Sequence, residues 1–251
     1  MNGQPEESRG EALRRRLSGP GASVGLWASL PSNVTAQAAA MAGADYVVVD
    51  EQHGSVGPAE LLAMLAAIEM SGAAPLVRVL RNEPWAIGRA LDLGAHGVIV
   101  PLVNDADEAA AAVAACRYAP AGVRSWGVVR GEPDPAPVCL VMIETRSALE
   151  HLDSILRTPG LDGVYVGPSD LSLGLGLKPT GVIEHQPVLE AISAVREACS
   201  RERRIAGVHC LTADDAARFV GDGLDMVTAG SDAVHLRRAL AEAMAAARAG
   251  R

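Results

Sequence analysis

Most polar residues in this chain are scattered over helix-like stretches, but a few stand directly after short runs of Val, Ile and Leu. Val47-Val48-Val49 leads into Asp50-Glu51-Gln52-His53-Gly54, and Val141-Met142-Ile143 into Glu144-Thr145-Arg146. Val164-Tyr165-Val166 leads into Gly167-Pro168-Ser169-Asp170, Arg78 stands between Val77 and Val79, Val208 precedes His209, and Trp27 ends an earlier run. Two carboxylates, Glu144 and Asp170, with no His or Cys beside them suit a hard divalent cation such as Mg²⁺ or Mn²⁺, with water or a chelating substrate filling the other positions. The competing readings are a carboxylate favoured by a helix N-terminus for Glu144 and a helix N-cap for Asp170. Arg78, inside a Val-Arg-Val strand, either faces a helical layer or points into the space that the strands enclose. A buried cation needs a partner. An anionic ligand would serve, because the guanidinium fork matches a carboxylate, and so would an acid on a neighbouring strand. His53 is a candidate general base near neutral pH, against the alternative of an exposed loop histidine. His96, His151, His185 and His235 fall in turns or on helices and take no role.

These residues need a scaffold that brings chain-distant strand ends together. The pattern alternates strand-like and helix-like runs eight times. Strands are expected at 23–27, 45–50, 75–79, 97–100, 138–143, 163–166, 204–208 and 225–228. Helices are expected at 33–41, 58–70, 84–93, 105–116, 145–156, 186–201, 213–220 and 231–249, with only a short turn between 166 and 186. Ser32 is placed to cap the first of these helices and Pro58 to begin the second. The strand cores are continuous apolar runs, as in parallel strands buried on both faces. Eight β-α pairs in one chain of this length predict a single-domain α/β fold, a (β/α)8 TIM barrel over 20–251. A polar segment, 1–19, precedes it. Its first eight residues are expected to be disordered, and 11–17 to form a short outer helix closed by Gly19-Pro20-Gly21. A doubly wound open sheet is the alternative, but the turn after the first strand is Ala28-Ser29-Leu30-Pro31, with no GxGxxG. In a barrel the chemistry sits at the C-terminal strand ends. Adjacent strands lie about 4.8 Å apart, so Glu144 and Asp170, ending the fifth and sixth strands, can converge.

Composition excludes several function classes. The 251 residues carry 22 basic and 30 acidic side chains, a net charge of −8, so phosphate-backbone binding is not expected. Aromatics are 3%, with one Phe, too few for stacking single-stranded nucleic acid. No stretch approaches about 18 uninterrupted apolar residues, so no membrane span is expected. The polar, Arg-rich start has no apolar core of a secretory signal. Cys116, Cys139, Cys199 and Cys210 show no CxxC spacing, which predicts buried free thiols and a reducing, cytoplasmic setting.

Taken in order, Asp50…His53-Gly54, Pro75-Leu-Val-Arg78, Leu91-Asp92-Leu-Gly-Ala-His-Gly-Val-Ile-Val-Pro101, Arg117-Tyr-Ala-Pro-Ala-Gly-Val-Arg124-Ser-Trp-Gly127, Ile143-Glu-Thr-Arg146 and Val166-Gly-Pro-Ser-Asp-Leu-Ser172 resemble the HpcH/HpaI aldolase/citrate lyase family. These are metal-dependent class II pyruvate aldolases such as the 4-hydroxy-2-oxoheptanedioate aldolases. The resemblance runs over about 25–240. It implies a carbon–carbon lyase that cleaves or forms a bond of a 4-hydroxy-2-oxo acid, giving pyruvate and an aldehyde through a metal-bound pyruvate enolate. It implies a divalent metal (Mg²⁺, Mn²⁺ or Co²⁺) on Glu144 and Asp170, and Arg78 beside the pyruvate keto oxygen. It also implies a His53–Asp92 pair that moves the proton, and a carboxylate cradle formed by Gly167, Pro168, Ser169 and Asp170. A homo-oligomer, trimer or hexamer, with the last helix exchanged between neighbours, is part of the same implication.

Three positions depart from the family pattern. Met142 stands where a substrate-contacting Gln is usual, and Gln52 replaces an acid before His53. The Pro-rich stretch between Gly127 and Val138 is shorter than the helical insert that lines the mouth and the subunit interface in many relatives. They motivate a second reading, a metal-enolate decarboxylase or carbon–carbon bond-forming enzyme of specialised metabolism on an oxaloacetate-like substrate. A non-catalytic 2-oxo acid binding barrel is a third reading, opposed by the retained His53 and Arg78. A CoA-thioester lyase is disfavoured because no basic cluster awaits the CoA phosphates.

Overall fold

In the computed structural model, which describes residues 7–249, the chain folds as one closed barrel. Its strands are β1 (Ser23–Ala28), β2 (Tyr46–Asp50), β3 (Ala74–Arg78), β4 (Gly97–Val100), β5 (Val138–Ile143), β6 (Gly163–Val166), β7 (Ile205–Val208) and β8 (Met226–Ser231). All are parallel and paired in chain order, with β1 closing on β8. The helices are α1 (Arg9–Leu17), α2 (Asn33–Met41), α3 (Pro58–Met70), α4 (Pro84–Asp92), α5 (Ala106–Cys116), α6 (Arg146–Glu150), α7 (Leu152–Leu156), α8 (Pro168–Gly174), α9 (Gln186–Glu202), α10 (Ala213–Gly221) and α11 (Asp232–Ala249). Local chemistry starts them where expected: the Ser32, Asp105, Thr145 and Thr212 side chains accept N-terminal amide hydrogens of their helices, and Pro58 opens α3.

The strand runs look uniformly apolar, yet successive side chains alternate between two cores. Val47, Val49, Val77, Cys139, Val141 and Ile143 face the helices. Tyr46, Val48, Leu76, Ile99, Leu140, Met142, Tyr165 and Met226 fill the barrel interior. The same period of two carries Asp50, Arg78, Glu144 and His209 inward at the C-terminal mouth. Small residues make room inside: a Cβ on Gly25 would collide with the Tyr46 ring.

Four expectations change. The N-terminal helix exists, but it is not an outer helix: Leu13 and Leu17 belong to the interior cluster and plug the barrel floor, because the open N-terminal end of a barrel offers apolar surface that an amphipathic turn can cover. The expected disorder of the first residues lies mostly outside the described part; Glu7 and Ser8 are described, and Ser8 caps α1. The single helix at 145–156 is two, α6 and α7. The segment after β6 forms α8 rather than only a turn. The short Pro-rich stretch between Gly127 and Val138, where the resemblance places a mouth-lining insert in many relatives, lies at the floor in this chain, in the connection from α5 to the start of β5. There Asp134 accepts the Gly10 N–H at 2.7 Å. All four cysteines are buried and free.

Candidate active site

Asp50 and Arg78 end adjacent strands at paired positions. The guanidinium Nε donates to Asp50 Oδ1 at 2.8 Å and Nη2 to Oδ2 at 2.6 Å. Both residues are buried, and the guanidinium lies over the Trp27 ring, 5.0 Å from its centroid. Arg78 is therefore both things at once: ion-paired to a neighbouring strand's acid and aimed into the mouth. Among the described residues its Nη1 has no hydrogen-bond partner. Burial pushes the Asp50 carboxyl up, but the Arg78 hydrogen bonds and charge outweigh it and hold the group below its ordinary value. Asp50 Oδ1 also accepts the Gln52 and His53 N–H groups, at 3.1 and 3.3 Å, which sets the turn that carries His53.

Glu144 follows β5 and is 1% exposed. Its Oε1 accepts the Leu102 N–H at 2.7 Å. Leu102, just past β4, has φ 55, a left-handed conformation that costs a non-glycine residue about 1–2 kcal/mol. Glu144 Oε2 is buried with no hydrogen-bond partner. Burial raises the Glu144 pKa; the Leu102 N–H opposes this, the Asp170 charge adds to it, and Arg78 opposes it. The two carboxylates and Arg78 thus share one electrostatic field. Gly167 is required here for space, since a Cβ would sit 2.6 Å from Glu144 Oε2 and 2.9 Å from Met142 Cε. Met142 itself is buried in the interior core beneath Gly167.

Asp170 is half-buried and is the third residue of α8, so it is not a cap; Gly167 is the N-cap and Pro168 the first helical residue. Glu144 likewise precedes the cap of α6, which is Thr145. Pro168 is buried and Ser169 exposed. Among the described residues no group of three or more His, Cys, Asp or Glu side chains is arranged to hold a metal ion. The pair Glu144 and Asp170 is thus a two-carboxylate set, with one oxygen left unpaired where a cation would sit. Mg²⁺ keeps several waters and needs few protein ligands, so the residues fit such an ion.

His53 is exposed on the loop after β2. Asp92 ends α4 at the opposite end of the barrel, where its carboxylate accepts from Arg124 Nη2 at 2.8 Å and its carbonyl from the Val129 N–H. The two do not meet within one chain, because α4 runs from mouth to floor. The sequence places Asp50 and His209 at strand ends but assigns neither a contact. Their inward direction follows from the alternation along their own strands, Tyr46-Val48-Asp50 and Ile205-Gly207-His209, once the interior face is known; nothing local marks Leu102.

A closed parallel eight-stranded barrel with an acid pair and an anchored arginine at its C-terminal mouth is a TIM barrel with its charged groups where such barrels carry their chemistry. The HpcH/HpaI aldolase/citrate lyase family model matches residues 23–239. The chain belongs to this family and is a carbon–carbon lyase. It is 39% identical over 233 residues to a hydroxypyruvate/pyruvate aldolase of Rhizorhabdus wittichii, covering 89% of this chain and 93% of the relative. It is 33% identical over 221 residues to a 5-keto-4-deoxy-D-glucarate aldolase of Salmonella paratyphi C, covering 83% and 86%. A crystal structure of a family protein from Burkholderia cenocepacia superposes with a TM-score of 0.87 at 30% identity, covering 94% of this chain and 99% of that one. The fold extends to a citrate lyase beta subunit of M. tuberculosis, solved with oxaloacetate and magnesium, at a TM-score of 0.60 and 17% identity over 87% and 95% of the chains.

Proposed function

We propose that this chain is a divalent-metal-dependent aldolase acting on a 4-hydroxy-2-oxo acid, releasing pyruvate and an aldehyde and running in reverse as an aldol addition. The observation that carries the reading is Glu144 Oε2, a buried carboxylate oxygen left without a partner beside Asp170. Burying such a group unsatisfied costs roughly 1–3 kcal/mol, which a cation would offset. Glu144 and Asp170 would hold Mg²⁺, Mn²⁺ or Co²⁺. Bound there, the cation supplies Lewis-acid polarisation of a 2-oxo acid.

The chain's own groups divide the remaining work. Asp50 grips two nitrogens of Arg78 and leaves Nη1 to donate to the keto oxygen, on which negative charge grows as the bond between C3 and C4 breaks. Gly167, Pro168, Ser169 and Asp170 would frame the pyruvate carboxylate, with first-turn amides of α8 that have no helical acceptor. His53 takes the proton from the C4 hydroxyl as the aldehyde leaves, and a proton returns to C3 of the enolate. A His53–Asp92 relay requires Asp92 from a second copy of the chain. The last helix points the same way: α11 has no buried residue, and Leu236, Leu240 and Met244 stand exposed along one side of it. That apolar stripe supports a homo-oligomer in which α11 packs on a neighbour. Among the described residues no helix is long and apolar enough to cross a membrane.

The test is pyruvate release from a panel of 4-hydroxy-2-oxo acids and oxaloacetate, with Mg²⁺, Mn²⁺ or Co²⁺, before and after EDTA. Pyruvate formation from hydroxy-oxo acids that EDTA abolishes is expected. Pyruvate from oxaloacetate alone would favour the decarboxylase reading, which the apolar Met142 beneath Gly167 motivates. No metal-dependent release from any substrate would overturn the assignment.

A further inference from the structure

One inward-facing group at the mouth has no part in the chemistry above. His209 follows β7, and its ring packs against Trp27 with centroids 4.6 Å apart. Trp27 is the same ring that lies under Arg78. His209 Nδ1 is 3.0 Å from Thr228 Oγ1. That hydroxyl already accepts the Cys210 N–H at 3.0 Å and the Tyr165 O–H at 3.4 Å. A hydroxyl has two lone pairs and one proton, so the Thr228 proton points at Nδ1. The imidazole is thereby held with Nδ1 accepting and Nε2 carrying the hydrogen. Burial, joined by the nearby Arg78 charge and opposed by Asp50, lowers the His209 pKa to about 4, so the ring stays neutral near pH 7. Among the described residues no hydrogen bond uses Nε2.

His209 lines a partly open cleft whose wall also includes Pro168, Ser169, Thr180, Glu184 and Leu211. The cleft therefore begins at the segment that would frame the pyruvate carboxylate and runs outward between α8 and the loop before α9. Its mixed wall provides apolar surface, hydroxyls and two carboxylates, Glu184 and Asp215, the latter paired with Arg218. Glu184 disfavours an anionic guest; a neutral donor at Nε2 favours an acceptor oxygen.

Resting on the aldolase reading, we propose that His209 is a specificity-determining residue that donates from Nε2 to a hydroxyl oxygen on the aldehyde half of the substrate, so that the enzyme selects neutral α-hydroxyaldehydes over alkyl aldehydes of the same size. The mouth thus divides between a pyruvate end, built by Arg78, Glu144 and Asp170, and an aldehyde end read by His209.

The experiment measures kcat/KM for addition of pyruvate, with Mn²⁺, to glycolaldehyde and to propanal, which differ by a hydroxyl in place of a methyl. The ratio of the two values reads His209. His209→Phe keeps a ring on Trp27 and removes the donor; the ratio is expected to fall about five- to tenfold, the worth of one neutral hydrogen bond. His209→Gln restores an N–H and is expected to recover part of it. Thr228→Val removes the hydroxyl that sets the tautomer, leaves the ring, and is expected to lower the ratio by a smaller factor, which carries the test should His209→Phe fail to fold. An unchanged ratio in the folded variants overturns the role of His209 while leaving the aldolase reading intact. Absence of turnover with both aldehydes in the unaltered enzyme overturns both.

Discussion

The two ends of the barrel are built from the same residue types and treat them differently. At the floor the carboxylates packed against the barrel are answered. Asp162 accepts from Arg14 Nε at 2.5 Å and from the Cys139 N–H at 2.8 Å, and Arg124 holds Asp92. Glu69 sits between Arg130 and His96, the latter at 2.8 Å. At the mouth, Glu144 Oε2, Arg78 Nη1 and His209 Nε2 have no partners among the described residues, and Leu102 holds a strained backbone to present one amide to Glu144. Satisfied buried groups stabilise modestly, whereas unsatisfied ones cost about 1–3 kcal/mol each. At the floor the unpaired buried side-chain atoms among the described residues are Arg124 Nε, Arg130 Nη1 and Thr158 Oγ1, none of them a carboxylate oxygen. The mouth keeps three polar atoms that a ligand would complete, of which Glu144 Oε2 is the buried one whose cost the rest of the fold carries.

The sharpest way to break this contrast is at the acid pair. Glu144→Gln or Asp170→Asn is expected to lower turnover by about 10³-fold or more, since a Lewis acid contributes several kcal/mol and each 1.4 kcal/mol is about tenfold. Added Mg²⁺ or Mn²⁺ should not restore it; full activity at saturating metal in both variants would remove the metal assignment. Because burial raises the Glu144 pKa, its charged form works against folding near pH 7. Metal-free Glu144→Gln should therefore melt no lower than the unaltered protein.

Arg78→Ala comes next, with a fall in kcat of about 10²-fold, the order found on removing one oxyanion donor. KM should change less; the reverse split would make Arg78 a binding residue only. The same change strands Asp50 and should cost about 3–5 kcal/mol of stability by thermal melting. Gly167→Ala tests the close approach to Glu144 Oε2, and calorimetry should find metal affinity weakened about tenfold, the order seen when groups supporting a ligand are altered. At the other end, Asp162→Ala should lose about 1–3 kcal/mol of stability while kcat at 25 °C stays within about twofold. A turnover loss there as large as that of Arg78→Ala would erase the distinction between the two ends.

The smallest effect is in acid. The Asp50 pKa is lower in the folded protein than its ordinary value of 3.8. Its contribution to stability is present above that value and disappears as pH falls through the folded pKa. Stability measured from pH 5 down to pH 2 should lose this increment in the unaltered protein and lack it in Arg78→Ala.

Much of this was legible beforehand, and the reasons differ by residue. Glu144 and Asp170 could be located because strand ends are marked by apolar runs, which are local signals. The residue beside Arg78 could not, because β2 and β3 are joined through α3 and their register is set by pairing, not by spacing along the chain. The short α8, broken by nearby glycines, has too few residues to show a helical period. Asp92 was attached to His53 by likeness alone, and the direction of α4 separates them within one chain.

Sequence alone therefore determined the barrel, its membership of a carbon–carbon lyase family and the acid pair, because eight βα periods and a few strand-end motifs are written in consecutive residues. Tertiary structure alone decided that α1 plugs the floor and that Asp50 anchors Arg78. It also decided that Leu102 serves Glu144 and that the Thr228 hydroxyl meets His209 Nδ1. Each of these is a contact between segments far apart in the chain, and only closure of the barrel brings them within hydrogen-bonding or packing distance.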